Sequence, residues 1–198
     1  MLFRYFGQQA AWERKGFRFK MPIKLLDSTL VSLTISVYDW AHYTTSKGAV
    51  KMHTLLDYDC LLPEFMNITG GKRTDNKAAF DIEIKPHSIV VADRGYCDYG
   101  LLNHWDSNNV FYVVRHKDDI QHRTIKELPL PEKHAQNVLL DEIIEFELPT
   151  AKDKCPKRLR RIAVWDEEHG FVIELLSNNV TLAASTIAKL YKARWNIE

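Results

Sequence analysis

Three acidic residues stand where a carboxylate calls for an explanation. Asp27 interrupts the apolar run Leu25-Leu26-Asp27-Ser28-Thr29-Leu30. Burying a carboxylate there is costly unless it is paired or holds a cation, and the alternative is an edge position with the side chain in water. Asp93 follows Ile89-Val90-Val91-Ala92 directly and precedes Arg94-Gly95-Tyr96. An acid at the end of a buried strand, beside a glycine turn, is placed to meet a metal ion or a phosphate. The same acid equally serves to cap the turn or the next helix. Glu198 closes a helical segment containing Ile187, Tyr191 and Arg194. That spacing, i, i+4, i+7, i+11, puts all four on one stripe, although a terminal residue can also simply fray into solvent. Hard divalent cations take carboxylate oxygens and keep several waters. Two such ions can activate a water or a 3′-hydroxyl and stabilise the leaving oxygen in an in-line phosphoryl transfer. Spacing alone does not bring the three acids together.

The elements that must position these acids follow from hydrophobic periodicity. Residues 23–39 read as two strands, the second alternating Val31, Leu33, Ile35 and Val37 with Ser32, Thr34 and Ser36. Ala49 to Asp57 reads as a third strand, and Gly70-Gly71 breaks the chain. Thr74 to Ile82 is a short helix, Ser88 to Ala92 a strand buried on both faces, Asp98 to Trp105 a helix, and Val110 to Val114 another buried strand. The pattern from Lys117 to Asn179 is less regular. Arg160–Asp166 and Phe171–Leu176 are joined there across Glu167-Glu168-His169-Gly170 as a hairpin. A last helix starts at Ser185, read as its N-cap. The order is an α/β layout with a mixed sheet, in which ligands collect outside the carboxyl ends of the strands.

Composition narrows the class. A chain of 198 residues is one domain, or one domain with a sizeable insertion. With 45% hydrophobic and 27% charged residues it reads as an ordinary soluble globular protein. No run approaches the roughly 20 apolar residues that span a bilayer, and residues 1–12 are too mixed in polarity for a secretory core. Cys60, Cys97 and Cys155 form no C-x-x-C pair, which argues against a disulfide framework or a zinc ribbon and for a reducing cytoplasm. The net charge of +1 does not mark a nucleic-acid binder. The distribution says more: Lys152, Lys154, Lys157, Arg158, Arg160 and Arg161 crowd together, and Arg14, Lys15, Arg18 and Lys20 form a second cluster. Each suits a phosphate backbone, and equally a solvated face.

As a set, these residues resemble the DDE transposases of bacterial insertion sequences, in the branch with a Y-x2-R-x3-E-x6-K signature. Leu26-Asp27-Ser28-Thr29 stands for the first acid, Val91-Ala92-Asp93-Arg94-Gly95-Tyr96 for the second, and Tyr191-Lys192-Ala193-Arg194-Trp195-Asn196-Ile197-Glu198 for the third. Gly48 to His53, Phe111 to Arg115 and Leu176 to Asn179 look like the intervening segments. The resemblance implies a ribonuclease-H-like mixed sheet with flanking helices and a β-rich insertion, about 117–179, before the last helix. It implies a catalytic domain over 22–198, with 1–21 a remnant or linker. Asp27, Asp93 and Glu198 would bind two Mg²⁺ or Mn²⁺ ions, and Tyr191 and Arg194 would contact the DNA end near the cleavage site. Arg94, Arg115, Lys157, Arg158, Arg160 and Arg161 are further phosphate candidates, whereas His53 and Trp195 read as structural. The implied partners are double-stranded DNA (terminal inverted repeats and target) and a second copy in a synaptic homodimer, in the bacterial cytoplasm at the nucleoid and not at a membrane.

The sequence departs from the family pattern in two places. The signature lysine falls seven positions past Glu198, beyond the sequence, and only residues 1–21 stand where an N-terminal end-recognition domain is usual. The chain therefore reads as a fragment. Two rival readings stay open: a ribonuclease-H-like nuclease that cuts without joining, and an inactive DNA-binding or dimerisation remnant.

Overall fold

The structure is a computed structural model that describes residues 17, 19–33, 48–117, 120–130 and 137–195. Glu198, the basic residues Arg14, Lys15 and Arg18, and Ile35 and Val37 of the anticipated second strand lie outside the described residues. Along the chain run β1 (Ile23–Leu33), β2 (Gly48–Asp57), β3 (Pro63–Gly70), α1 (Asp75–Ala79), β4 (Ile89–Ala92), a 3-10 turn (Arg94–Tyr96), α2 (Tyr99–Ser107) and β5 (Phe111–Arg115). There follow β6 (His122–Glu127), β7 (Val138–Phe146), α3 (Pro149–Lys154), β8 (Leu159–Asp166), β9 (Phe171–Ser177) and α4 (Ala184–Arg194).

All nine strands form one mixed sheet in the order β3-β2-β1-β4-β5-β9-β8-β7-β6. The centre is parallel: β4 lies between β1 and β5 and runs with both. Its Ile-Val-Val-Ala run is buried throughout, as a strand covered on both faces requires. The neighbours beyond β1 and β5 pair antiparallel. The irregular stretch 117–179 supplies β6 to β9, which extend the same sheet instead of forming a separate body.

Side chains alternate across this sheet into two cores. On one face Leu26, Val90, Ala92, Tyr112 and Val114 meet Leu101, Leu102 and Trp105 of α2. On the other, Leu25, Val91, Val113, Ile162 and Leu175 meet Ile187, Leu190 and Tyr191 of α4. Fully burying one such aliphatic side chain is worth roughly 1.5–3 kcal/mol. Packing of this kind holds α1, which at five residues is far too short to persist on its own.

Three local expectations are corrected. The apolar run from Ile23 continues through Ser28-Thr29 as a single strand to Leu33, because small β-compatible polar residues do not break a ladder. Strand β3 carries a proline and three polar positions, which hides it in the sequence, yet proline at the start of an outer strand costs no ladder bond. Ser185 is not the N-cap of α4; Ala183 occupies that position without a side-chain cap. The turn before α4 is instead organised by Asn179, whose Oδ1 accepts the N–H groups of Thr181 at 3.0 Å and Leu182 at 2.8 Å.

Candidate active site

The parallel register of β1 and β4 runs from Ile23 opposite Ile89 to Leu26 opposite Ala92. Asp27 and Asp93 are the next residues along the two strands, so this register sets them side by side, level with the carboxyl end of β4. Leu26 and Ala92 are fully buried, whereas the Asp27 side chain is 26% exposed. Asp93 does cap the turn that follows it, with Oδ1 accepting the Gly95 N–H at 2.8 Å. Capping fixes the carboxylate at the strand end; it does not take it away from Asp27.

Helix α4 ends over this point. Arg194 is almost fully buried, and its Nη1 donates to Asp27 Oδ1 at 3.4 Å. The guanidinium carbon lies 5.6 Å from the centre of the Tyr191 ring, within cation–π range. Trp195 meets Tyr191 and His169 edge-on, at 5.8 and 4.9 Å between ring centres, and packs against the core under α4. Burial raises the Tyr191 phenol above its usual value against the opposing charges of Arg194 and Arg115, and Asp93 adds to the rise. Tyr96, on the turn after Asp93, is buried completely. Burial pushes its phenol well above the usual range, and the negative charges of Asp75, Asp93 and Asp27 push the same way.

Asp75, at the start of α1, is the member of this group that sequence reasoning missed. Its Oδ1 accepts from Ser28 Oγ at 2.8 Å, lies 3.1 Å from Lys51 Nζ and lies 3.7 Å from His53 Nδ1. His53 is buried, with Nε2 3.1 Å from Thr69 Oγ1, in keeping with a structural role. Burial pushes its imidazole below the ordinary range despite the Asp75 charge. The usable sign in the sequence is Gly95. A Cβ there would lie 2.8 Å from Asp75 Oδ2 and 3.0 Å from Asp93 Oδ1, which makes it a point of close approach.

The basic candidates divide by position. Arg94 is exposed on the turn after Asp93, and Arg115 closes β5 at the same sheet end, its guanidinium carbon 5.3 Å from the centre of the Phe171 ring. Lys157 pairs with Asp106 near the end of α2, and Arg158 lies 3.9 Å from Glu145. Both precede β8 at the opposite end of the sheet, remote from Asp27 and Asp93. Arg160 is corrected outright as a DNA contact. It is buried in a bidentate pair with Asp141 at 2.7 Å and 2.7 Å, and its Nη1 donates to the carbonyl of Leu182 at 2.6 Å. Arg161 is likewise occupied, bridging Glu142 and Glu174 at 2.6 Å each.

Among the described residues, no group of three His, Cys, Asp or Glu side chains is arranged to hold a metal ion. Asp27 and Asp93 offer two partly exposed carboxylates on neighbouring strands, the hard oxygen donors that Mg²⁺ and Mn²⁺ take. The donor chemistry fits such an ion. Among the described residues, no helix is long and apolar enough to cross a membrane.

A parallel centre with antiparallel strands outside it and helices on both faces is the ribonuclease-H-like arrangement. A piggyBac transposase, solved by cryo-EM as a synaptic complex with hairpin DNA, shares the fold with a TM-score of 0.50 at 10% identity, over 88% of this chain and 38% of that one. The transposase DDE domain family matches residues 18–198, and the chain belongs to that family. A probable transposase for insertion sequence element IS5377 of Geobacillus stearothermophilus is 27% identical over 93% of this chain. A Sinorhizobium fredii (strain NBRC 101917 / NGR234) protein that carries a transposase name, y4zB, is 29% identical over 89% of it. The chain spans about half the length of these relatives, 48% and 49%.

Proposed function

We propose that this chain is the catalytic core of a bacterial insertion-sequence transposase, which cuts DNA at the ends of its element and joins those ends to a target. The observation that carries this reading is the adjacency of Asp27 and Asp93, set by the β1–β4 register, in a chain of the transposase DDE domain family. Asp27 and Asp93 would hold Mg²⁺ or Mn²⁺, two ions in all, with Glu198 as the third acid expected from the sequence. When bound, such ions supply charge neutralisation at the phosphate and a more acidic attacking oxygen.

The chain's own residues have separable tasks in this scheme. Arg194 holds one oxygen of Asp27, while the Tyr191 ring supports the guanidinium from one side. Arg94 and Arg115 lie at the same sheet end and are suited to bidentate contact with phosphates on either side of the cleaved bond. Lys157 and Arg158, at the far end, would reach only a more distant stretch of DNA. The partners are therefore double-stranded DNA, as terminal repeats and as target, and a second copy in a synaptic complex.

The test uses end-labelled duplexes made from the DNA flanking the gene, incubated with the chain in Mg²⁺ or Mn²⁺ and scored for cut and for joined products. Cut and joined products that vanish in Asp27→Asn and Asp93→Asn are expected. Cutting without joining would favour a nuclease, and binding that ignores both acids would favour a non-catalytic remnant.

A further inference from the structure

Asp75 is not one of the three acids, yet it stands between the elements that carry two of them. Its two carboxylate oxygens face different ways. Oδ1 is gathered by Ser28, the residue next to Asp27 on β1, and by Lys51 and His53 on β2. Oδ2 lies against Gly95, so close that a Cβ at that position would sit 2.8 Å away; Asp93 Oδ1 would be 3.0 Å from the same Cβ. The side chain of Asp75 is 20% exposed and that of Lys51 18%, so the pair is sheltered but not sealed. His53 is fully buried with a depressed imidazole, which leaves Lys51 as the adjacent cation that balances the Asp75 charge.

Ser28 and Asp27 point to opposite faces of β1, as neighbours on a strand must. Asp75 therefore grips β1 from the face opposite α4, while Arg194 grips Asp27 from the α4 face. Gly95 leaves the space that lets the turn of Asp93 close down on the same carboxylate.

We propose that Asp75 is a positioning residue: by binding Ser28 on one side and meeting Gly95 on the other, it sets the spacing between Asp27 and Asp93. This inference rests on the reading that Asp27 and Asp93 together hold a divalent cation. Residues that orient metal-binding groups from behind typically change metal affinity by 10–100-fold when altered.

The experiment titrates Mn²⁺ into the full chain and counts free ion by electron paramagnetic resonance, at a temperature where circular dichroism shows every variant folded. The variants are Asp75→Asn, Ser28→Ala and Asp27→Asn. Asp75→Asn keeps the shape of the side chain and removes its charge, and Ser28→Ala removes one hydroxyl from a half-buried position in the middle of β1. The expected result is that Asp75→Asn weakens Mn²⁺ binding by about 10-fold or more, that Ser28→Ala weakens it in the same direction by less, and that Asp27→Asn abolishes it. A purely structural role would lower the melting temperature and leave affinity unchanged in whatever remains folded. If Asp27→Asn abolishes binding while Asp75→Asn and Ser28→Ala bind like wild type, the proposal is overturned and the metal reading stands. If Asp75→Asn does not fold, unchanged affinity in Ser28→Ala overturns the proposal by itself. Wild-type protein that takes up no Mn²⁺ overturns the metal reading and the proposal with it.

Discussion

Arg194 Nη1, on the last turn of α4, lies 3.4 Å from Oδ1 of Asp27 on β1, so the final helix is fastened to the first strand through the candidate site itself. Removing the guanidinium leaves a partly buried carboxylate without this donor, a loss of about 1–3 kcal/mol. Arg194→Ala is expected to lower the unfolding free energy by that amount in urea titration. Arg194→Lys keeps the charge without the planar fork and should recover part of it. Equal stability of wild type and Arg194→Ala would show that the contact contributes nothing.

The Arg160–Asp141 pair is a buried, bidentate lock between β7 and β8. The same guanidinium donates to the carbonyl of Leu182, which ties β8 to the turn that launches α4. Cutting one partner from a buried pair typically costs about 3–5 kcal/mol, whereas replacing both with apolar residues is often near neutral. Arg160→Met should therefore be far less stable than the double variant Arg160→Met/Asp141→Leu. Equilibrium denaturation of the two decides it.

Gly95→Ala would place a methyl group between two carboxylates, at 2.8 and 3.0 Å. Overpacking of this kind costs typically 1–3 kcal/mol. The expected outcome is a modest loss of stability together with weaker Mn²⁺ binding, because Asp93 and Asp75 must both move. An alanine variant that binds the ion like wild type would show that the close approach has no bearing on the site.

Lys24 is buried and contacts Asp57 at 2.7 Å and Glu64 at 2.8 Å, linking the first three strands. Burial pulls the Asp57 carboxyl upward, but the hydrogen bond and charge of Lys24 outweigh it and hold the group below its ordinary 3.8. The stabilisation this represents is present above the unfolded value near 3.8 and fades as pH falls through the lower folded value. Burial likewise opposes the charge on Lys24, and its two acid partners win, raising it above 10.5. Its contribution is complete below 10.5 and is lost as pH rises through the folded value. Unfolding free energy measured from pH 2 to 12 should fall less steeply at the acid end for Asp57→Asn than for wild type.

The sequence made the central strands and Asp93 readable because a buried run such as Ile89-Val90-Val91-Ala92 has no other good use than a strand covered on both faces. The stripe Ile187, Tyr191 and Arg194 was equally readable, and all three are buried in α4. What escaped was whatever depends on partners far away in the chain. Asp75 reads as an ordinary acid in a first helical turn, and only the fold brings it to Ser28 and Gly95. Arg160 reads as one more cation in a basic run, and only pairing of β7 with β8 buries it against Asp141. Local charge density is a poor guide wherever strand pairing can neutralise it.

The central claim is that Asp27 and Asp93 share one cation site, and melting curves of wild type, Asp27→Asn and Asp93→Asn, each with and without Mg²⁺, test it most directly. Like charges side by side disfavour the metal-free fold, and an ion bound only to the native state raises stability with the logarithm of its concentration. Asparagine at 93 can still accept the Gly95 N–H, so the turn should survive. The account predicts that both variants gain nothing when Mg²⁺ is added, while wild type gains steadily. Variants that melt lower without metal, yet rise with Mg²⁺ as wild type does, would contradict it and make both acids structural.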